Sequence, residues 1–190
     1  NYIFGFEESY GYNVETDVRD KDGVSAAAMC AEMTLYWRTQ GKSLLQRLEE
    51  LYTTYGYFQD SAISQNFPGA SGGQTMKNIM TKLRTEGLKS LGGKTVLSIR
   101  DEGESVVYTP ANPDKKEKLD LPKSNVIQFF LDGGTVVSAR PSGTEPKIKF
   151  YINCVIENSS DLAKAKEEAD KLTAAIDKEI KEVLDILQTM

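Results

Sequence analysis

Residues 125–156 read NVIQFFLDGGTVVSARPSGTEPKIKFYINCVI. Aromatic and β-branched residues fill three runs, NVIQFFL, TVVSA and KIKFYINCVI, and turn residues fill both junctions: Asp132-Gly133-Gly134, then Pro141-Ser142-Gly143-Thr144. Short turns join antiparallel neighbours, so the stretch predicts strands paired antiparallel in chain order. The second junction carries more than a reversal requires. It sets the hydroxyls of Ser142 and Thr144 between two cations, Arg140 and Lys147. A planar guanidinium, hydroxyls and the N–H groups of Gly143 and Thr144 are the parts that hold a phosphate dianion. The plainer alternative is a Pro-Gly turn with solvated basic neighbours.

Working outward, the segment after Ser160 repeats apolar residues at Leu162, Ala165, Leu172, Ile176, Val183 and Leu187 on a charged background, which predicts a long amphipathic helix. Upstream, Gly92-Gly93 precede a strand in TVLSI, and TPANPDKKEKLDLPKS (109–124) reads as a solvated loop. A helix carrying Met76, Ile79, Met80 and Leu83 follows a predicted capping box from Ser71 to Gln74, and YFQDSAISQNF before it alternates as a strand does. Residues 57–190 thus read strand, helix, three or four strands, helix: a small antiparallel sheet packed against helices, an α+β layer sandwich.

A domain boundary is placed near residue 56. Before it, a helix begins with a capping box at Ser43 to Gln46 and stops at Gly56. Ahead of that lies VSAAAMCAEMTLYW (24–37), whose wide apolar arc predicts a largely buried helix capped by Asp22. The opening NYIFGFEESYGY enters a strand-like run with no polar lead-in, so the chain is expected to be part of a longer protein.

The totals narrow the chemistry. With 23 Lys and Arg against 28 Asp and Glu the net charge is −5, so nucleic acid is repelled in bulk and any anion must be caught locally. No His is present, which removes Ser-His and Cys-His nucleophiles and His-ligated metals. Cys30 and Cys154 lack metal spacing and sit in apolar runs, as two reduced, buried thiols would. No apolar stretch approaches the roughly 20 residues a membrane span needs, and a cytoplasmic location is expected.

Two further stretches carry polar groups in excess. Gly5-Phe6-Glu7-Glu8-Ser9-Tyr10-Gly11 offers carboxylates and a hydroxyl suited to sugar hydroxyls, or is an acidic turn after a strand. Arg19-Asp20-Lys21-Asp22 precedes a helix; its aspartates suit the dipole, while Lys21 opposes it unless an anion lies close.

Taken together these stretches resemble the α-D-phosphohexomutase family. Arg140-Pro141-Ser142-Gly143-Thr144-Glu145-Pro146-Lys147 fits every position of the family's phosphate-binding loop, R-x-S-G-T-E-P-K. The sugar-binding loop G-E-x-S-G is represented by Glu7, Ser9 and, after Tyr10, Gly11, with Phe6-Glu7 in place of Gly-Glu. This Glu-Glu-Ser-aromatic-Gly version resembles the phosphoglucomutase branch more than the phosphomannomutase branch. Lys21-Asp22-Gly23 is similar to the family's active-site lysine segment. The resemblance implies that 1–56 is the tail of a third, α/β domain, a helical remnant bearing the sugar loop, and that 57–190 is the fourth, phosphate-binding domain. It implies a hexose phosphate substrate, a phosphoserine and a magnesium site in N-terminal domains absent from this chain, and glucose 1,6-bisphosphate as intermediate and activator. No metal ligand is expected within the chain, which would be inactive alone. The site residues it implies are Glu7, Ser9, Arg19, Lys21, Arg140, Ser142, Gly143, Thr144 and Lys147, with Lys21 catalytic, either moving a proton or pairing with phosphate. The alternatives are a mutase of the same family acting on pentose or mannose phosphates, or a free-standing phosphosugar-binding module.

Overall fold

The computed structural model describes residues 2–7, 10–157 and 160–188, the side chains of 187 and 188 excepted. The chain divides into two compact units, Asn1–Thr54 and Tyr55–Met190.

In the first unit, β1 (Gly5–Phe6) and β2 (Tyr12–Asn13) pair antiparallel. Helix α1 (Gly23–Thr39) starts where the Asp22 carboxylate accepts from the N–H groups of Val24 (3.1 Å) and Ser25 (3.0 Å). Helix α2 (Leu44–Tyr55) has a reciprocal capping box: Ser43 N–H donates to Gln46 Oε1 (2.8 Å), and Gln46 N–H to Ser43 Oγ (3.1 Å). Arg47 of α2 lies 4.9 Å over the Trp37 ring of α1. The expectation that α1 is largely buried is overturned, since none of its residues is buried and Val24 and Leu35 are 81% and 65% exposed. Its apolar residues run round the helix, and among the described residues of 1–54 only the two-residue strands β1 and β2 are present to cover them. Cys30 is accordingly exposed, contrary to expectation, while Cys154 is buried in the second unit.

The second unit holds a fully antiparallel sheet of eight strands among the described residues. These are β3 (Tyr57–Asn66), β4 (Ser90–Leu91), β5 (Lys94–Asp101), β6 (Val106–Thr109), β7 (Asn112–Lys118), β8 (Ile127–Leu131), β9 (Val136–Pro141) and β10 (Lys147–Ile156). Seven run in the order β3-β10-β9-β8-β5-β6-β7, and β4 pairs with β5 across Gly92-Gly93, whose φ values of 57° and 73° favour glycine. Two helices, α3 (Gly72–Thr85) and α4 (Leu162–Gln188), pack against this sheet. The core is set by alternation. Ile148, Phe150, Ile152 and Cys154 of β10, Ile127, Phe129 and Leu131 of β8, and Val137 and Ala139 of β9 are all buried. They meet Ile79, Met80 and Leu83 of α3 and Ala169, Ile176, Ile180 and Leu184 of α4. The intervening residues, Arg140, Lys149 and Tyr151 among them, therefore face away from this core.

Two local expectations are corrected. Residues 109–124 are not only a loop, because Asn112–Lys118 form edge strand β7, every residue of which is exposed. Charges and Pro113 suit a solvated edge, so composition read as loop conceals a strand. Hence the sheet has more strands than the one plus three or four expected. The capping box at Ser71 does not form: Ser71 is itself helical (φ −83°, ψ −11°), makes no side-chain cap, and Gln74 donates to Asn78 Oδ1 instead (2.8 Å). A capping residue needs extended backbone to swing its oxygen over the first turn.

Candidate functional site

In the second unit, Arg140 lies in β9, Ser142, Gly143 and Thr144 form the following loop, and Lys147 opens β10. The loop is pinned by Ser142 N–H donating to Lys147 O (2.8 Å) and by Phe67 N–H donating to Pro146 O (2.7 Å). Ser142 Oγ accepts weakly from the N–H groups of Thr144 (3.4 Å) and Glu145 (3.3 Å). Bonds this long yield readily to a stronger acceptor. Lys147 pairs with Glu145, and that ammonium holds the Glu145 carboxyl below the usual carboxylate range.

These loop residues line a cavity of about 340 Å³. Two further residues line it that the sequence reading passed over, Lys149 and Tyr151. Register explains their place. Lys149 sits directly opposite Arg140, and Tyr151 follows on the same face of β10. Alternation along KIKFYI was the available signal. Arg140 and Lys149 thus set two cations side by side on the face where the loop presents hydroxyls and N–H groups.

In the first unit, Glu7, Arg19 and Lys21 line one concavity of about 230 Å³ with Gly11, Asn13 and Asp20. Ser9 lies outside the described residues. Asp22 N–H donates to Tyr12 O (2.8 Å), Glu7 N–H to Gly11 O (2.8 Å) and Asn13 Nδ2 to Val18 O (3.1 Å), which tie the connections around β1 and β2 together. Lys21 Nζ stands 3.1 Å from Asp20 Oδ1 and 3.8 Å from Glu7 Oε1. The bond to Asp20, then the charges of Asp20 and Glu7, push the Lys21 pKa up and keep it protonated at neutral pH. Gly11 makes room for this lysine. A Cβ there would stand 2.5 Å from Lys21 Cδ and 2.9 Å from Glu7 Oε2.

Another cavity, about 840 Å³, is lined by none of the expected residues. Three of its polar residues have structural partners: Arg84 Nε donates to both oxygens of buried Asp101 (3.2 and 3.1 Å), Arg84 NH2 to Asn125 Oδ1 (2.6 Å), and Tyr108 OH to Arg84 O (3.4 Å). Among the described residues no group of three or more His, Cys, Asp or Glu could hold a metal ion, and no helix is long and apolar enough to cross a membrane.

Known proteins agree with this architecture. The family model described as "Phosphoglucomutase/phosphomannomutase, alpha/beta/alpha domain III" matches residues 1–55. The chain is 39% identical over 163 residues to a phosphoglucomutase of Staphylococcus aureus (strain bovine RF122 / ET3-1), covering 86% of this chain and 29% of that protein. It is 37% identical over 153 residues to the phosphoglucomutase of Staphylococcus epidermidis, covering 80% and 28%. The chain thus spans less than a third of these relatives' length. Its fold is similar to the open form of the exocytosis-sensitive phosphoprotein pp63/parafusin from Paramecium, with a TM-score of 0.54 at 17% identity, covering 95% of this chain and 30% of that one. Residues 1–55 thus match the third domain of the phosphoglucomutase/phosphomannomutase family, and the chain as a whole is similar in sequence to a part of phosphoglucomutases.

Proposed function

We propose that this chain is the phosphate-gripping and hydroxyl-reading part of a cytoplasmic phosphoglucomutase that interconverts glucose 1-phosphate and glucose 6-phosphate, and that it is not catalytic alone. In this reading 1–56 is the tail of the third domain and 57–190 the fourth. The observation that carries it is the pairing of Arg140 opposite Lys149 on the face turned from the core, beside a loop of hydroxyls and N–H groups around an open cavity.

Arg140, Ser142, Gly143, Thr144 and Lys147 hold the phosphate that is not reacting, and its binding energy fixes the sugar hydroxyl at the far end. A phosphoserine in domains outside this chain gives its phosphoryl group to that hydroxyl, leaving a serine hydroxyl and glucose 1,6-bisphosphate; the other phosphoryl group then returns to the serine. Glu7 accepts hydrogen bonds from ring hydroxyls and Ser9 gives or accepts them. Arg19 adds a cation to the same concavity. The protonated state of Lys21 supports a role as partner to a phosphate oxygen or as proton donor rather than as general base. The magnesium that the resemblance implies would add charge stabilisation from outside this chain, whose described residues offer no set of ligands for it.

The test is a titration of the chain with inorganic phosphate and with glucose 1-phosphate, by calorimetry or amide chemical shifts. Both are expected to bind weakly, and Arg140→Ala to weaken both by roughly tenfold or more, the value of a lost charge-assisted contact. Binding unaffected by Arg140→Ala would reject the phosphate assignment.

A further inference from the structure

We propose that Tyr151 is a specificity-determining residue of the same cavity, the wall that distinguishes a phosphorylated sugar ring from free phosphate. The inference rests on the phosphate assignment of the 140–147 loop and adds to it a second subsite on the open face of the sheet.

Four observations converge on the ring. Tyr151 lines the cavity directly beyond the cations, on the strand that carries Lys149. Lys149 Nζ lies 5.6 Å from the Tyr151 ring centroid, so the aromatic wall and the anion site share a boundary. The residues opposite Tyr151 in register are small on both sides, Ser138 on β9 and Ala62 on β3, so neither neighbouring strand covers the ring with a large side chain. Finally, the cavity of about 340 Å³ falls at the lower end of small-molecule sites, which begin near 300 Å³, and exceeds what a lone phosphate fills.

The floor beside the ring is held in place across the sheet. Ser138 Oγ accepts from Gln128 Nε2 (3.0 Å), Gln128 Oε1 accepts from Arg100 NH1 (3.4 Å), and the Arg100 guanidinium lies 4.9 Å over the Phe130 ring. Arg100, Gln128, Ser138 and Tyr151 occupy one cross-strand row through β5, β8, β9 and β10. A row anchored in this way gives the ring a fixed neighbour at little entropic cost on binding. A tyrosine in that position offers carbon to the C–H face of a sugar and a hydroxyl to its polar edge. The ligand class is a phosphomonoester of a compact hydroxylated ring.

The experiment compares affinities of the chain for inorganic phosphate and glucose 1-phosphate in the wild type, Tyr151→Phe, Tyr151→Ala and Arg140→Ala. The wild type is expected to prefer the sugar phosphate by roughly threefold to tenfold, the worth of one aromatic contact. Tyr151→Ala is expected to erase that preference while changing phosphate affinity less than about twofold, and Tyr151→Phe to keep most of it. A preference unchanged in Tyr151→Ala overturns the inference. So does a parallel loss for both ligands, which would make the ring only a seat for Lys149. If neither ligand depends on Arg140, the phosphate assignment itself falls, and the inference falls with it.

Discussion

Helices α1 and α4 are both rich in apolar residues, yet α4 buries a stripe and α1 has no buried residue. On α4 the buried residues Ala165, Ala169, Ile176, Ile180 and Leu184 recur at spacings that keep them on one side. Charged pairs cover the rest: Lys166 with Asp170, Glu167 with Lys171, and Asp177 with Lys181, each at 2.6 Å. On α1 the run Ala26-Ala27-Ala28-Met29-Cys30-Ala31 goes round the helix and leaves no polar side to turn to water. A single sheet face satisfies α4. A helix like α1 needs cover on more than one side, as in the three-layer domain whose family model it matches, and residues 1–54 hold only two two-residue strands among those described. Burial is a property of what lies opposite a helix, not of the helix alone.

The comparison can be broken most directly by deleting the same kind of mass from each helix. Ile176 is fully buried, so Ile176→Ala is expected to cost about 2–5 kcal/mol in urea unfolding of the second unit. Leu35→Ala on α1 should stay within about 0.5 kcal/mol, the range of exposed substitutions. Comparable losses at the two positions would show α1 to be packed after all.

Exposed apolar area on α1 also predicts self-association. The sedimentation coefficient is expected to rise with concentration, and the double variant Val24→Lys, Leu35→Lys to suppress the rise. A concentration-independent monomer would show that this surface is not adhesive.

The smallest effect concerns the charged side of α4. Lys166 holds the Asp170 carboxyl below its usual range, and Lys171 does the same for Glu167. Stabilisation from a depressed carboxylate is present above its unfolded pKa and is lost as pH falls through the folded value. The melting-temperature difference between wild type and Lys166→Met, Lys171→Met should therefore be small at pH 7 and vanish under strong acid. A difference that grows on acidification would contradict the pairing.

Much of the second unit was readable one residue at a time. The alternation of NVIQFFL and KIKFYINCVI and the stripe of α4 are local patterns with a single physical cause, a face turned to an apolar layer. The edge strand β7 was not readable, because its charges and Pro113 mark solvation and its pairing with β6 supplies the strand. Ser71 shows the same limit at the scale of one residue, where the sequence fits a cap and the backbone angle denies it. At the candidate site, Arg140, Ser142, Gly143, Thr144 and Lys147 were legible because they are contiguous. Lys149 and Tyr151 were not, because what brings them to the loop is register between β9 and β10.

By itself the sequence determined the antiparallel core, the amphipathic helices, the absence of histidine chemistry and a loop dense in anion-binding groups, since each follows from residue type and short-range spacing. Only the tertiary structure decided that Arg140 faces Lys149, that Tyr151 walls the same cavity, that Gly11 makes room for Lys21, and that α1 lies open. Those are relations between residues brought together by pairing and packing, and no period along the chain encodes them.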